Sequence, residues 1–125
     1  MMRGPERNTA MIQIYGIKNC DTMKKAFAWC DAHSVVYKFH DYKKLGVPRE
    51  RLVAWCQAAG WKTLLNTKGP TFRKLAPEQQ AIATQSAAVA LMMEHSSAIK
   101  RPVVETEGGQ LLVGFDPALF ESFVR

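Results

Sequence analysis

Apolar and polar residues alternate over Met11-Ile12-Gln13-Ile14-Tyr15-Gly16, a period of two that predicts a strand stopped by the glycine. The loop Ile17-Lys18-Asn19-Cys20 follows, and Asp21 and Thr22 are both residue types that cap a helix start. From there to about His33, Met23, Ala26, Phe27 and Cys30 recur at helical spacing and predict an amphipathic helix. Val35-Val36-Tyr37-Lys38-Phe39-His40 reads as a second strand. A strand, a helix of ~12 residues and a strand make a βαβ unit, whose two strands run parallel.

Beyond Asp41 the pattern turns helical. Pro48 suits the first position of a helix over Arg49–Ala59, with Leu52, Trp55 and Cys56 inward and Gly60 closing it. Turns are expected around Thr63–Leu65 and Phe72–Leu75, on either side of the break at Lys68-Gly69-Pro70. Two more helices are predicted over Pro77–Thr84 and Ser86–His95. After Ile99-Lys100-Arg101-Pro102, Val103–Thr106 and Leu111–Gly114 form an antiparallel pair across the turn Glu107-Gly108-Gly109-Gln110. Asp116-Pro117 then opens a closing helix through Phe120 and Phe123. The order βαβ…ββα is that of an α/β, thioredoxin-like fold with a four-stranded mixed sheet. The expected layout is a flexible tail over 1–10 and one domain over 11–125, carrying a helical insertion at about 47–98.

Composition narrows the class. Apolar residues make up 47% of the 125 residues and charged residues 22%, the balance of a globular domain. No apolar run approaches the ~20 residues of a membrane span, and MMRGPERNTA lacks the apolar core of a secretory signal. The expected compartment is the cytoplasm, with the three cysteines as reduced thiols. The net charge of +6 is spread along the chain in pairs such as Lys24-Lys25, Lys43-Lys44 and Arg73-Lys74. It forms no nucleic-acid motif, and suits anionic ligands instead. No membrane partner or nucleic acid is expected, and the chain is expected to be a monomer.

Cys20 lies between a strand end and a helix start, where unpaired N–H groups and the helix dipole stabilise a thiolate. Lys18, Lys24 and Lys25 add positive potential, and Asp21 opposes it. Position alone fits both a reactive thiolate and a loop thiol without chemistry. Cys30 and Cys56 fall on apolar helix faces, where cysteine behaves as a small hydrophobe. Cys30 stands ten residues beyond Cys20, roughly 15 Å along a helix, far past the ~7 Å limit for a disulfide. With Cys20-Asp21-Thr22-Met23 in place of CxxC, a redox cycle must be completed by an external thiol. Glutathione is the expected co-substrate, because its two carboxylates suit a basic surface. His33, His40 and His95 have no ligand-type spacing, so no metal is expected, and no nucleotide-binding glycine motif occurs. Pro102 starts a strand, and its bond to Arg101 is open to either isomer.

Three separated stretches carry a resemblance: Tyr15-Gly16-Ile17-Lys18-Asn19-Cys20-Asp21-Thr22-Met23-Lys24-Lys25-Ala26, then Trp61…Leu64-Leu65-Asn66-Thr67…Arg73-Lys74-Leu75, then Ile99-Lys100-Arg101-Pro102. Together they resemble the arsenate-reductase-like (ArsC/Spx) family, most of all its YffB subgroup, from Met11 to the C-terminus. The resemblance implies a thioredoxin fold with a helical insertion, Cys20 as the nucleophile and Pro102 as a cis-proline facing it. It further implies a glutathione-dependent oxidoreductase acting on an oxidised small molecule or protein. The ligand-binding set would be Lys18, Asn19, Asp21, Thr22, Arg73, Arg101 and Pro102. The alternative is a non-enzymatic regulator bound to a larger protein such as RNA polymerase, as in the Spx branch, whose loop often carries CxxC. The family's arsenate reductases surround the cysteine with three arginines. Here only Arg101 falls on such a position, the others falling near Asn66 and Gly114.

Overall fold

The computed structural model describes residues 11–124, so the predicted tail over 1–10 lies outside the described residues. In chain order the elements are β1 (Ile12–Gly16), α1 (Asp21–Ala32), β2 (Tyr37–Asp41), α2 (Tyr42–Leu45), α3 (Arg49–Ala59) and α4 (Trp61–Leu64). There follow α5 (Pro70–Arg73), α6 (Pro77–Gln80), α7 (Gln85–Glu94), a 3-10 turn over Ser96–Ala98, β3 (Val103–Glu105), β4 (Leu111–Val113) and α8 (Pro117–Phe123). They fall into two compact units, one made of residues 11–41 and 101–124, the other of residues 42–100. The second unit is wider at both ends than the insertion read from the sequence.

The first unit holds the four-stranded sheet, in the order β2-β1-β3-β4. β1 runs parallel to β2 and antiparallel to β3, and β3 runs antiparallel to β4. The register sets Ile14 beside Val104 and Val104 beside Leu112. These residues and Ile12 line one face, and onto it α1 packs Met23, Ala26 and Cys30 while α8 packs Phe120. Phe120 is fully buried, with its ring edge-on to Trp29 at 5.3 Å and Phe115 at 4.9 Å. Truncating such an anchor to alanine costs about 3–5 kcal/mol. On the opposite face Tyr15 stacks on His40 at 4.3 Å and donates its hydroxyl to Glu105 at 3.2 Å. Gly16 ends β1 where its backbone lies hard against α1: a Cβ there would sit 2.5 Å from Met23 Sδ.

Two boundaries in this unit differ from the sequence reading. β2 starts at Tyr37 rather than Val35, because Ser34 adopts a left-handed φ of 56° and the Val35 N–H turns back to Cys30 O at 2.8 Å. The N-cap of α1 is Cys20, not Asp21 or Thr22, and it makes no side-chain cap bond. The backbone is already helical at Asp21, and the Cys20 carbonyl accepts the Lys24 N–H at 2.9 Å. At the other end of the chain the prediction holds: Asp116 Oδ1 caps α8 by accepting the Ala118 N–H at 2.9 Å.

In the second unit α3 buries Leu52, Trp55 and Cys56 and packs against α4 and α7. Leu65 bridges Ile99 in antiparallel fashion, fastened by Asn66 N–H to Ala98 O and Lys100 N–H to Leu64 O, both 2.8 Å. Pro48 is the N-cap of α3 rather than its first residue. α6 stops at Gln80 instead of Thr84 for a tertiary reason. The Gln80 amide donates to Arg73 O at 3.2 Å and Leu75 O at 2.8 Å, and the Ile82 N–H folds back onto Gln80 O. Thr84 then caps α7 through its hydroxyl.

Candidate active site

β1 delivers the loop Ile17–Cys20 to the start of α1, so Cys20 stands at the N-cap with its thiol partly exposed. Partial burial pushes this thiol up. Together the opposing influences are larger: the Met23 amide, the Arg101 side chain and the Thr22 amide all favour the thiolate, and the Arg101 charge adds to them. The net result holds Cys20 below the ordinary thiol range. This follows from the helix start, whose first-turn amides lack intrahelical partners and point at the N-cap side chain. Because no carboxylate or hydroxyl caps α1, those amides are left to the sulfur.

The other two thiols go the opposite way. Burial, and then the Asp31 carboxylate, push Cys30 up to about 11. Burial alone raises Cys56. A thiol reacts as its thiolate, so iodoacetamide near neutral pH is expected to modify Cys20 faster than Cys30 or Cys56 by about a hundredfold or more. Site-resolved mass spectrometry against time reads this directly. Comparable rates at the buried sites would end Cys20's claim to be the working thiol.

Arg101 and Pro102 lie just before β3, and the peptide bond between them is cis. The Pro102 carbonyl accepts the Gly114 N–H at 2.8 Å, tying this corner to the end of β4. Gly114 has a left-handed φ of 87°, a conformation that favours glycine. A thiol at a helix N-terminus, faced by an arginine that precedes a cis proline, is thus built wholly within the sheet unit.

The ArsC family model matches residues 15–123. The chain belongs to the ArsC family. An uncharacterized protein of Haemophilus influenzae is 34% identical over 112 residues, spanning 90% of this chain and 97% of that protein. Among solved structures the YffB protein is 50% identical with a TM-score of 0.87, covering 91% of this chain and 99% of its own. The global transcriptional regulator Spx of Streptococcus agalactiae is 24% identical over 116 residues, or 91% of this chain and 83% of that regulator. The α/β architecture, a four-stranded mixed sheet with helices, is the thioredoxin-like fold of the ArsC family.

Within this ArsC-family chain the predicted site residues separate into groups. Cys20, Thr22, Arg101 and Pro102 come together in the sheet unit, Pro102 buried and the others partly exposed. Lys18, Asn19 and Asp21 lie exposed on the same loop and helix start. Neither the lysines nor Asp21 is among the groups that shift the thiol, contrary to the opposition expected of Asp21. Their charges point into solvent, which screens them. Arg73 ends α5 in the helical unit and is exposed. Asn66 spends its side-chain oxygen on the Lys68 N–H at 3.1 Å, within its own loop. The Met23 backbone was foreseen only as one of the unpaired N–H groups of a helix start and not by residue, since a methionine advertises no polar role. The N-cap assignment of Cys20 would have revealed it. Among the described residues no group of three or more His, Cys, Asp or Glu is placed to hold a metal ion, and no helix is long and apolar enough to cross a membrane.

Proposed function

We propose that this chain is a glutathione-dependent thiol reductase that works through Cys20 alone. The observation that supports it most is that Cys20 is held below the ordinary thiol range by two amides and a guanidinium, while Cys30 and Cys56 are raised. In the first step the Cys20 thiolate attacks the glutathione sulfur of a mixed disulfide R–S–S–G. A Cys20–glutathione disulfide forms as the S–S bond of R–S–S–G breaks, and the R–S thiolate leaves to take a proton from water. A second glutathione thiolate then attacks the bound glutathione sulfur, releasing oxidised glutathione and restoring the Cys20 thiolate. The sum is R–S–S–G plus one glutathione thiol giving the R thiol and glutathione disulfide. Arg101 and Lys18 hold the anionic ligand, and Asn19, Asp21 and Thr22 border it.

Mass spectrometry of the protein incubated with oxidised glutathione tests this reading. Addition of one glutathione at Cys20, reversed by excess reduced glutathione, is the expected result. Modification confined to another cysteine, or none, would remove the proposal.

Arsenate is expected to be a poor substrate. Asn66 is turned into its own loop and Gly114 has no side chain, so two guanidinium positions of the related reductases are vacant here. Each charge-assisted contact is worth roughly 1.5–3 kcal/mol, so losing two weakens binding by well over about a hundredfold. Steady arsenate turnover with glutathione and glutaredoxin, at rates matching a true reductase, would contradict this.

The similarity to Spx over 91% of the chain favours a second reading, a regulator bound to a larger protein such as RNA polymerase. A stoichiometric polymerase complex without glutathione turnover is the result that would select it.

A further inference from the structure

The helical unit carries a cavity of about 290 Å³ that the thiol chemistry does not use. Its apolar walls are the rings of Trp61 and Phe72 with Leu65 and Ile82. Phe72 and Leu65 belong to the core, at 7% and 2% exposure, so the floor is fixed by packing. The far wall is fixed by hydrogen bonds, because Gln80 staples the end of α6 to the carbonyls of Arg73 and Leu75 and sets Ile82 behind it. A site held this way loses little freedom when it is filled.

Its polar groups are few and of one sign. Lys62 lines the cavity, its ammonium 5.6 Å from the centre of the Trp61 ring, and Thr67 adds a hydroxyl. No Asp or Glu lines it, and from Trp61 to Glu78 the chain carries four cations, Lys62, Lys68, Arg73 and Lys74, against the one acid Glu78. An apolar slot lined by one cation and no acid selects an apolar anion. Ligand sites run from roughly 300 to 1,000 Å³, so this one suits a single ring rather than a nucleotide.

We propose that this cavity binds a small aryl carboxylate, the ring held between Trp61 and Phe72 and the carboxylate on Lys62, with the Thr67 hydroxyl as second donor. The site is independent of the thiol reading, and Cys20 reactivity, measured alongside, separates the failure of one from the failure of the other.

Titration of the full-length ¹⁵N-labelled protein with 3-phenylpropionate, followed by NMR, is the test. Saturable shifts centred on the Trp61 indole N–H are expected, with the neutral 3-phenylpropanamide binding about fivefold more weakly. Lys62→Glu, an exposed change, should abolish the preference for the acid over the amide. Ile82→Asp, which sets a carboxylate on the wall and leaves Lys62 in place, should do the same. Shifts that do not saturate, equal binding of acid and amide, a preference that survives both variants, or effects centred on Trp29 or Trp55 would each overturn the proposal. A peptide with an acidic residue beside a phenylalanine that binds more than about tenfold tighter, with the same Lys62 dependence, would overturn it in favour of a protein segment.

Discussion

Cys20→Ser is expected to lower glutathione-dependent reduction of a mixed disulfide by more than about a thousandfold, since a serine hydroxyl at this site cannot form the covalent intermediate. The variant should fold normally, because Cys20 is only partly buried and serine is itself a favoured N-cap residue. Cys30→Ala and Cys56→Ala provide the contrast. Both thiols are buried, Cys30 in the cluster beneath the sheet and Cys56 in α3. Their removal should cost stability through lost packing while turnover of the folded protein stays within about twofold. A Cys20→Ser protein that keeps a tenth of the activity, or a Cys30→Ala protein that loses all of it, would move the chemistry to a different thiol.

Arg101→Ala should slow Cys20 alkylation and glutathione turnover at neutral pH by about tenfold, the lower end for a charge-assisted bond because the pair is partly exposed. The sign follows from the thiolate. Arg101 helps to hold the thiol below its ordinary range, so without it the midpoint rises and less thiolate is present near neutrality. The rate-against-pH curve therefore moves to higher pH, and alkylation rates of the two proteins converge once both thiols are fully ionised. Arg101→Lys should recover part of the shift, keeping the charge and losing the planar fork. Arg73→Ala should have the smaller effect on glutathione binding, since Arg101 precedes a strand fixed by the sheet and Arg73 sits on a single helical turn. Equal effects, or none, would mean that the anion is held elsewhere, with Lys18 the next residue to replace.

The parts of the fold that were legible in sequence are those set by local pattern. Ile12 and Ile14 alternate and Gly16 stops them; Met23, Ala26 and Cys30 keep helical spacing; Asp116-Pro117 opens α8. These signals agree with the packing they produce. The misread boundaries are those that tertiary contacts decide. α6 ends early because the Gln80 side chain captures two carbonyls of the preceding turn, and neither partner is marked in the sequence. β2 starts late because Ser34 takes a left-handed φ, an unusual choice for serine. At the site, Cys20 was readable from its place between strand and helix, and Arg101-Pro102 from its place before β3. The amides of Thr22 and Met23 were readable only as the unpaired N–H groups of a helix start and not by residue, because backbone donors leave no trace in side-chain identity. The Trp61 cavity draws its walls from several separate segments and has no contiguous pattern at all.

The contact between Gly16 and Met23 has an evolutionary consequence. A Cβ at position 16 would lie 2.5 Å from Met23 Sδ and 2.7 Å from its Cε. Met23 is fully buried and has little room to swing aside. A cysteine at position 23 would add a second thiol in the first turn of α1, but it would also empty space beside Gly16, at a cost of about 1–3 kcal/mol. Alanine at 16 refills part of that space only once the methionine has gone. Each replacement alone is unfavourable and each relieves the other, so Gly16→Ala and Met23→Cys should show favourable coupling in a cycle of unfolding midpoints; strict additivity would sink the idea. The route from a one-thiol to a two-thiol helix start then passes through less stable single replacements, so packing volume at Gly16 opposes it apart from any demand of the reaction.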